Sequence, residues 1–302
     1  MSAGGAKSHA KPPGRLPGVM SSTTATPPAQ HTANAVGAAT TRGFPIGIFD
    51  SGVGGLSVLR ALHRQLPDEP LLYVADSGHA PYGDRDTAHI VQRSERVVDY
   101  LVSQGARLVV IACNTATARA VDALRVRHPD IAFVGVEPGV KPAALASAKR
   151  NIAVMATPST LASTRYADLV AKHAPGCVVH PVPCSGLAAA IERGEAGREE
   201  VERLLDLYCT PLGSLGVDTV VLGCTHYRFV ADQIAARLGP DISLLDTADA
   251  VARRVVDLLP PHTGIPADEA PIVLQTTGEP ELLARMALIG LGRTLPAQRI
   301  EL

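Results

Sequence analysis

Two apolar runs in this chain end in the same way. Val109-Val110-Ile111-Ala112-Cys113-Asn114-Thr115-Ala116 and Val220-Val221-Leu222-Gly223-Cys224-Thr225-His226-Tyr227 each pass through a small residue to a cysteine and then two polar residues. Apolar runs this short, rich in β-branched residues, read as buried strands. The two cysteines lie about one small domain's length apart. An internal duplication is the simplest account, and it predicts two similar α/β halves.

The rest of the chain follows the same grammar. Ile46-Gly47-Ile48-Phe49 runs into Asp50-Ser51-Gly52-Val53-Gly54-Gly55, after which Leu56, Leu59, Ala61 and Leu62 recur at helical spacing. This is strand, tight loop and helix, the first half of a βαβ unit. Leu71–Ala75 reads as a second strand, followed by a helix from Thr87 to Ser103. Further strands are expected at Leu108–Ala112, Ala132–Val136, Asn151–Ala156, Cys177–Val182 and Val217–Gly223. Strands alternating with helices predict an α/β fold of doubly wound parallel sheets, helices on both faces. Ligands of such sheets sit at the carboxyl ends of the strands. If the halves face each other, both cysteines line one cleft.

Residues 1–43 differ in texture: Ala, Pro, Gly, Ser and Thr, with four basic residues and no acidic one. Such a composition cannot bury enough surface to offset ordering entropy and is read as a disordered tail. A transit-like peptide, or a start at Met20, are the other readings. The chain has 302 residues, 46% hydrophobic, enough for one large or two ordinary domains. Its formal net charge of −1 argues against a nucleic-acid partner. No apolar run approaches the roughly 20 residues that span a bilayer, and no secretory signal opens the chain. A cytoplasmic location is expected, with no membrane partner.

Five widely spaced cysteines without a CxxC pair do not form a disulfide framework or a structural zinc site, so individual thiol chemistry is the question. A single cysteine at a buried strand end is usually an inert small hydrophobe. Two at equivalent positions, each followed by hydrogen-bonding residues, are not. Cys177, Cys184 and Cys209 lack that setting and are read as inert. A following helix N-terminus would lower a thiol's pKa and bind a carboxylate. Two opposed thiols suit the inversion of a carbon: one takes a proton from one face while the other delivers a proton to the opposite face.

Asp50 and Ser51 also lie at a strand's carboxyl end, where Asp50 can hold a substrate ammonium or orient Cys113. His226 can serve Cys224 likewise. Gly52-Val53-Gly54-Gly55 matches neither the dinucleotide nor the P-loop signature, and tight loop packing explains it. Pyridoxal phosphate needs a lysine, and Lys141, Lys149 and Lys172 stand at no cofactor motif. No cofactor and no metal are expected.

These residues resemble glutamate racemases, in the aspartate/glutamate racemase superfamily. The resemblance rests on Gly47–Leu56, Ala80-Pro81-Tyr82-Gly83, Ala112–Ala116, Gly135-Val136-Glu137-Pro138-Gly139, Ala156–Leu161 and Leu222–Tyr227, in the family's order. It implies Cys113 and Cys224 as the two acid/base residues, the former toward D-glutamate and the latter toward L-glutamate. Asp50 and His226 would assist them. Asp50, Ser51, Tyr82, Gly83, Asn114, Thr115, Thr225 and His226 fall on substrate-contact positions, and Thr157 and Thr160 on those reaching the distal carboxylate. Asp76 and Glu192 would be auxiliary ionisable groups.

The family's fold implies two discontinuous domains related by a pseudo-twofold axis, residues 44–136 plus 247–302 and residues 137–246. The active site would lie in the cleft between them, with C-terminal helices finishing the first domain. D-Glutamate supply for peptidoglycan is the implied role, and a homodimer is compatible with it. Arg228 departs from the proline many relatives carry there, and the tail matches nothing in the family. An aspartate or hydantoin racemase is the nearest alternative. A non-catalytic amino-acid sensor is another, although it has no use for matched thiols.

Overall fold

The structure, a computed structural model, describes residues 45–259 and 270–302; the tail read at 1–43 lies outside them. In chain order the elements begin β1 (Ile46–Asp50), α1 (Leu56–Gln65), β2 (Leu71–Ala75), α2 (Thr87–Ser103), β3 (Leu108–Ile111), α3 (Asn114–Arg127) and β4 (Ala132–Gly135). Then come α4 (Val140–Ala146), β5 (Asn151–Ala156), α5 (Pro158–Leu161), α6 (Thr164–His173), β6 (Val178–Pro183), α7 (Leu187–Glu192), α8 (Arg198–Cys209) and β7 (Thr219–Leu222). The chain continues with α9 (Ala231–Leu238), β8 (Ser243–Leu245), α10 (Ala248–Leu258), β9 (Ile272–Thr276), α11 (Pro280–Leu291) and β10 (Ala297–Arg299).

The strands form two sheets, ordered β10-β9-β2-β1-β3-β4 and β6-β5-β7-β8, and every pairing is parallel. The order β2-β1-β3-β4 recurs as β6-β5-β7-β8, so β1 corresponds to β5 and β3 to β7. In each sheet the winding reverses between the first and third strands of the repeat. Such a reversal opens a crevice at the strands' carboxyl ends. Cys113 follows β3 and Cys224 follows β7, so each cysteine stands at the equivalent crevice of its own sheet.

Alternation along the strands assigns each side chain to a face. In β1, Ile46 and Ile48 join one core with α1, α10 and α11, while Phe49 joins the opposite core with α2 and α3. In β3, Val110 and Ala112 face the first of these, whereas Val109, Ile111 and Cys113 face the second. The second sheet has the same two layers: Val220, Leu222 and Cys224 pack with α7–α9, and Val221 packs with α4 and α6. Each fully buried Leu or Ile in these layers contributes about 1.5–3 kcal/mol. Both sheets are thus covered on both faces, leaving the strand ends for chemistry.

The helices start where local chemistry allows. Asp86 caps α2 by accepting from the His89 N–H at 2.7 Å. Pro280 opens α11, and Gly292 ends it at φ 70°, a conformation a side chain would strain. Two differences from the sequence expectation stand out. The C-terminal segment adds parallel strands β9 and β10 to the first sheet, beyond the helices expected there. Thr225–Val230 forms a short 3₁₀ turn, and α9 begins only at Ala231.

Candidate active site

Cys113 is the N-cap of α3, and its sulfur accepts from the Ala116 N–H at 3.4 Å. Its thiol donates to Ser51 Oγ at 3.5 Å. The sequence placed this thiol at a helix N-terminus and expected a lowered pKa; the position is as expected but the shift is not. Burial, reinforced by the Asp50 charge, pushes the thiol up to about 12, outweighing the Ser51 and Ala116 hydrogen bonds. A charge on Cys224 is the smallest of the causes that raise it.

Cys224 is also buried, 8% exposed, but a 3₁₀ turn rather than an α-helix follows it. Its sulfur lies 3.8 Å from His226 Nδ1, and His226 Nε2 lies 2.6 Å from Glu192 Oε2. Burial alone would lower the imidazole's pKa. Hydrogen bonds to Cys224 and Glu192, with their charges, win and hold it well above its ordinary value. Burial likewise raises Glu192, but the His226 bond and charge and the Val53 and Ser77 donors bring it below its ordinary value. The pair is a buried imidazolium–carboxylate ion pair.

Asp50, at the end of β1, links the two cysteine loops. Its Oδ1 accepts from the Gly52 N–H at 2.8 Å and from Ser51 Oγ at 3.5 Å, while Oδ2 accepts from Thr225 Oγ1 at 3.0 Å. Burial pushes this carboxyl up to about 6, against the opposing influence of the His226 charge and the Gly52 N–H. A second link runs from Glu192, which accepts from the Val53 N–H at 3.0 Å and from Ser77 Oγ at 2.7 Å. The glycines of this loop follow from these crossings. A Cβ on Gly52 would strike the Glu192 carboxylate, and one on Gly54 would come within 2.8 Å of the His226 main-chain nitrogen. The sequence reading of simple tight packing understated that requirement.

Thr115, Thr157 and Thr160 form one hydroxyl cluster, with Oγ1 separations of 2.9, 3.0 and 3.3 Å, bridging α3 and the end of β5. Gly83 lies against Thr157, where a Cβ would approach its Cγ2 to 2.7 Å. Tyr82 is buried beside Phe49 and donates to Asp76 Oδ2 at 2.6 Å. Asn114 is 5% exposed, and its Oδ1 has no hydrogen-bond partner among the described residues. An unpaired buried acceptor is costly, and a cationic donor would satisfy it. Cys177, Cys184 and Cys209 stand apart from this network; Cys184 and Cys209 are core residues, and Cys177 lies at the second sheet's edge.

The structure therefore brings the site residues together in two hydrogen-bond sets, Cys113–Ser51–Asp50–Thr225 and Cys224–His226–Glu192, that meet at the adjacent residues Thr225 and His226. The Thr115–Thr157–Thr160 cluster and Tyr82-Gly83 flank it. Sequence reasoning missed Arg93, Ser77 and Thr277. Arg93 left a signal: it sits on the stripe Ile90, Arg93, Val97 and Leu101 that α2 buries, where a charge needs a partner. Among the described residues no cluster of His, Cys, Asp and Glu could hold a metal ion, and no helix is long and apolar enough to cross a membrane.

A profile of the Asp/Glu/Hydantoin racemase family matches residues 46–255. The glutamate racemase of Herpetosiphon aurantiacus is 46% identical over 248 residues, covering 80% of this chain and 96% of that protein. The crystal structure of the Bacillus anthracis glutamate racemase isoform RacE1 superimposes with a TM-score of 0.75 at 30% identity, over 86% of this chain and 98% of that one. That of the Francisella tularensis glutamate racemase in complex with D-glutamate gives 0.72 at 27% identity, over 85% and 97%. With the family profile spanning most of the chain and the paired cysteine crevices in place, this chain belongs to the Asp/Glu/hydantoin racemase family.

Proposed function

We propose that this chain interconverts L- and D-glutamate without a cofactor, using Cys113 and Cys224 as two opposed acid/base groups. The observation that carries the reading is the position of Asp50. One buried carboxylate is joined through Ser51 to Cys113 and through Thr225 to the loop of Cys224, so both thiols belong to one site. The relatives' assignment to glutamate supplies the substrate. The sheet membership supports the domain division, 44–136 with 247–302 against 137–246, with the site at their junction.

In the D-to-L direction Cys113, as thiolate, takes the α-proton, and the Cys224 thiol gives its proton to the opposite face. The products are L-glutamate, a Cys113 thiol and a Cys224 thiolate. The reverse direction exchanges the roles. The His226 imidazole stands 3.8 Å from the Cys224 sulfur, and Glu192 keeps that imidazole charged. The Cys113 thiolate is costly while Asp50's charge is uncompensated. A substrate ammonium near Asp50 and Asn114 Oδ1 offsets that charge and fills the unpaired acceptor. N–H groups at the start of α3 stabilise charge developing on the α-carboxylate. The three threonine hydroxyls are the donors for the distal carboxylate. The product suits D-glutamate supply for cytoplasmic peptidoglycan precursors.

The test is proton NMR of L-glutamate with the purified protein in D₂O, alongside circular dichroism. Loss of the α-proton signal with ellipticity falling to zero is expected. Cys113→Ser and Cys224→Ser should each reduce turnover by about 10²–10⁴-fold, the scale of a positioned acid/base group, while remaining folded. Unchanged glutamate with a folded, reduced protein would sink the substrate assignment, and turnover of aspartate instead would reassign it. Near-normal activity in either serine variant would sink the two-thiol chemistry.

A further inference from the structure

Asp76 follows β2 and is fully buried, yet it does not touch either cysteine. Its carboxylate is instead saturated by donors from three parts of the chain. Arg93 of α2 holds it bidentately, Nε to Oδ2 at 3.0 Å and Nη2 to Oδ1 at 2.8 Å. Tyr82 donates to Oδ2 at 2.6 Å, Thr277 to Oδ1 at 2.8 Å, and His79 Nδ1 lies 3.2 Å from Oδ1. Arg93 is itself buried, its side chain 4% exposed, and its Nη1 reaches the Leu302 main-chain oxygen at 3.0 Å. A buried pair of this kind is expensive in water's absence and holds only with such full satisfaction.

What the pair grips is the segment Ser77–Asp84. Gly78 donates its N–H to Thr277 Oγ1 at 3.1 Å, fixing the segment's start to the residue after β9. Tyr82 is tied to Asp76, and Gly83 next to it is pressed on Thr157 at the end of β5 in the other sheet. Asp76 is therefore the anchor of a loop that bridges the two sheets on the Cys113 side. A fork-shaped guanidinium can hold both carboxylate oxygens while Tyr82 and Thr277 take one each; a point-charge ammonium cannot.

We propose that Arg93 and Asp76 are positioning residues for the racemase site: they form a latch that holds Tyr82-Gly83 against Thr157 and so shapes the substrate pocket beside Cys113. Neither residue handles a proton of the reaction. The latch couples Thr277, just after β9, and the Leu302 main-chain oxygen to substrate binding. The kinetic consequence rests on the glutamate reading, whereas the latch itself can be read without turnover.

Two measurements test it on the full chain. In Arg93→Lys, hydrogen–deuterium exchange should accelerate in Ser77–Asp84 while α1, α3 and the strands remain protected. In steady-state kinetics the same variant should raise KM for both enantiomers by about fivefold or more with kcat changed by less than about twofold, the signature of lost positioning rather than lost chemistry. Tyr82→Phe removes only the hydroxyl link and should give the same KM rise in a fully folded protein. The double variant should be little worse than either single one, since both cut the same connection. Should Arg93→Lys fail to fold, Tyr82→Phe and Thr277→Val carry the comparison. A uniform rise in exchange, wild-type KM in Tyr82→Phe, or additive single effects would each overturn the latch. Wild-type protein inert toward glutamate would overturn the substrate assignment, and the exchange pattern alone would then decide the latch.

Discussion

Asp50 is a carboxylate whose environment works against its charge. Its folded pKa is about 6 against an ordinary 3.8, with burial the largest cause. The folded state thus holds the proton more tightly than the unfolded state. The associated stability is fully present below the unfolded value and is lost as pH rises through about 6. A shift of this size amounts to roughly 3 kcal/mol at neutral pH. An amide in its place can still accept from the Gly52 N–H and can donate to Thr225 Oγ1. Asp50→Asn should therefore be more stable than wild type by about 1–3 kcal/mol at pH 8, the gap closing toward pH 4, while turnover falls by about 10²-fold or more. Urea titrations at the two pH values check it; a variant no more stable at pH 8 would show that the carboxyl is not ionised against its burial. At this scale the sequence revealed identity but not environment. The strand-end positions of Asp50, Cys113 and Cys224 were legible from apolar runs and repetition. The upward push on Cys113 was not, because burial depends on what the other sheet brings to it.

The Gly52–Gly55 loop shows what an element contributes beyond its own conformation. It is the turn between β1 and α1, and Tyr73 accepts the task of holding it by donating to the Gly52 carbonyl at 2.6 Å. Gly52 and Gly54 leave room for groups of the second sheet, and Gly55 for Asp50, Ala112 and Tyr73 of the first, rather than for unusual backbone angles. A Cβ on Gly54 would meet His226 Nδ1 at 2.5 Å, Thr225 Oγ1 at 2.6 Å and the His226 main-chain nitrogen at 2.8 Å. The last is backbone and cannot swing aside. Gly54→Ala should cost about 1–3 kcal/mol of stability and, by displacing His226 from Cys224, reduce kcat/KM by about 10²-fold. Chemical denaturation and racemisation kinetics on the same preparation check both, and wild-type kinetics would show that the turn tolerates the shift. Element identity was largely readable: β2, β5 and α2 fall on the expected residues, since hydrophobic period and capping are local. Strands β8, β9 and β10 were not readable. β8 and β10 have three residues each and no buried one, and β9 becomes a strand by pairing with β2, far away in sequence.

At the scale of the molecule, two separately wound sheets are held to one another by polar crossings that include Thr225 on Asp50, Thr157 and Thr160 on Thr115, and Arg119 on Ser159. Another is Glu192, which takes His226 on one oxygen and reaches Val53 and Ser77 of the first sheet's loops with its two oxygens. The repeated strand order puts a cysteine at the equivalent strand end of each sheet. The duplication was visible in the sequence, but the crossing was not, since no local pattern joins Glu192 to Val53. The pair also sets a pH window. Glu192's pKa is lowered, so its contribution is present above the ordinary value of 4.5 and is lost as pH falls through the folded value. His226's pKa is raised, so its contribution is present below 6.5 and persists until pH passes its folded value, well above that. Glu192→Gln should accordingly cost about 3–5 kcal/mol near pH 6–7, where both partners are charged and one is left buried alone. The cost should shrink as pH falls below Glu192's folded value, because the wild-type carboxylate is then protonated too. Thermal unfolding of the two proteins across pH 3–8 measures the difference directly. A gap that stays constant with pH would mean that Glu192 acts by hydrogen bonding alone, and that the sheets are joined without a charged pair at the centre of the site.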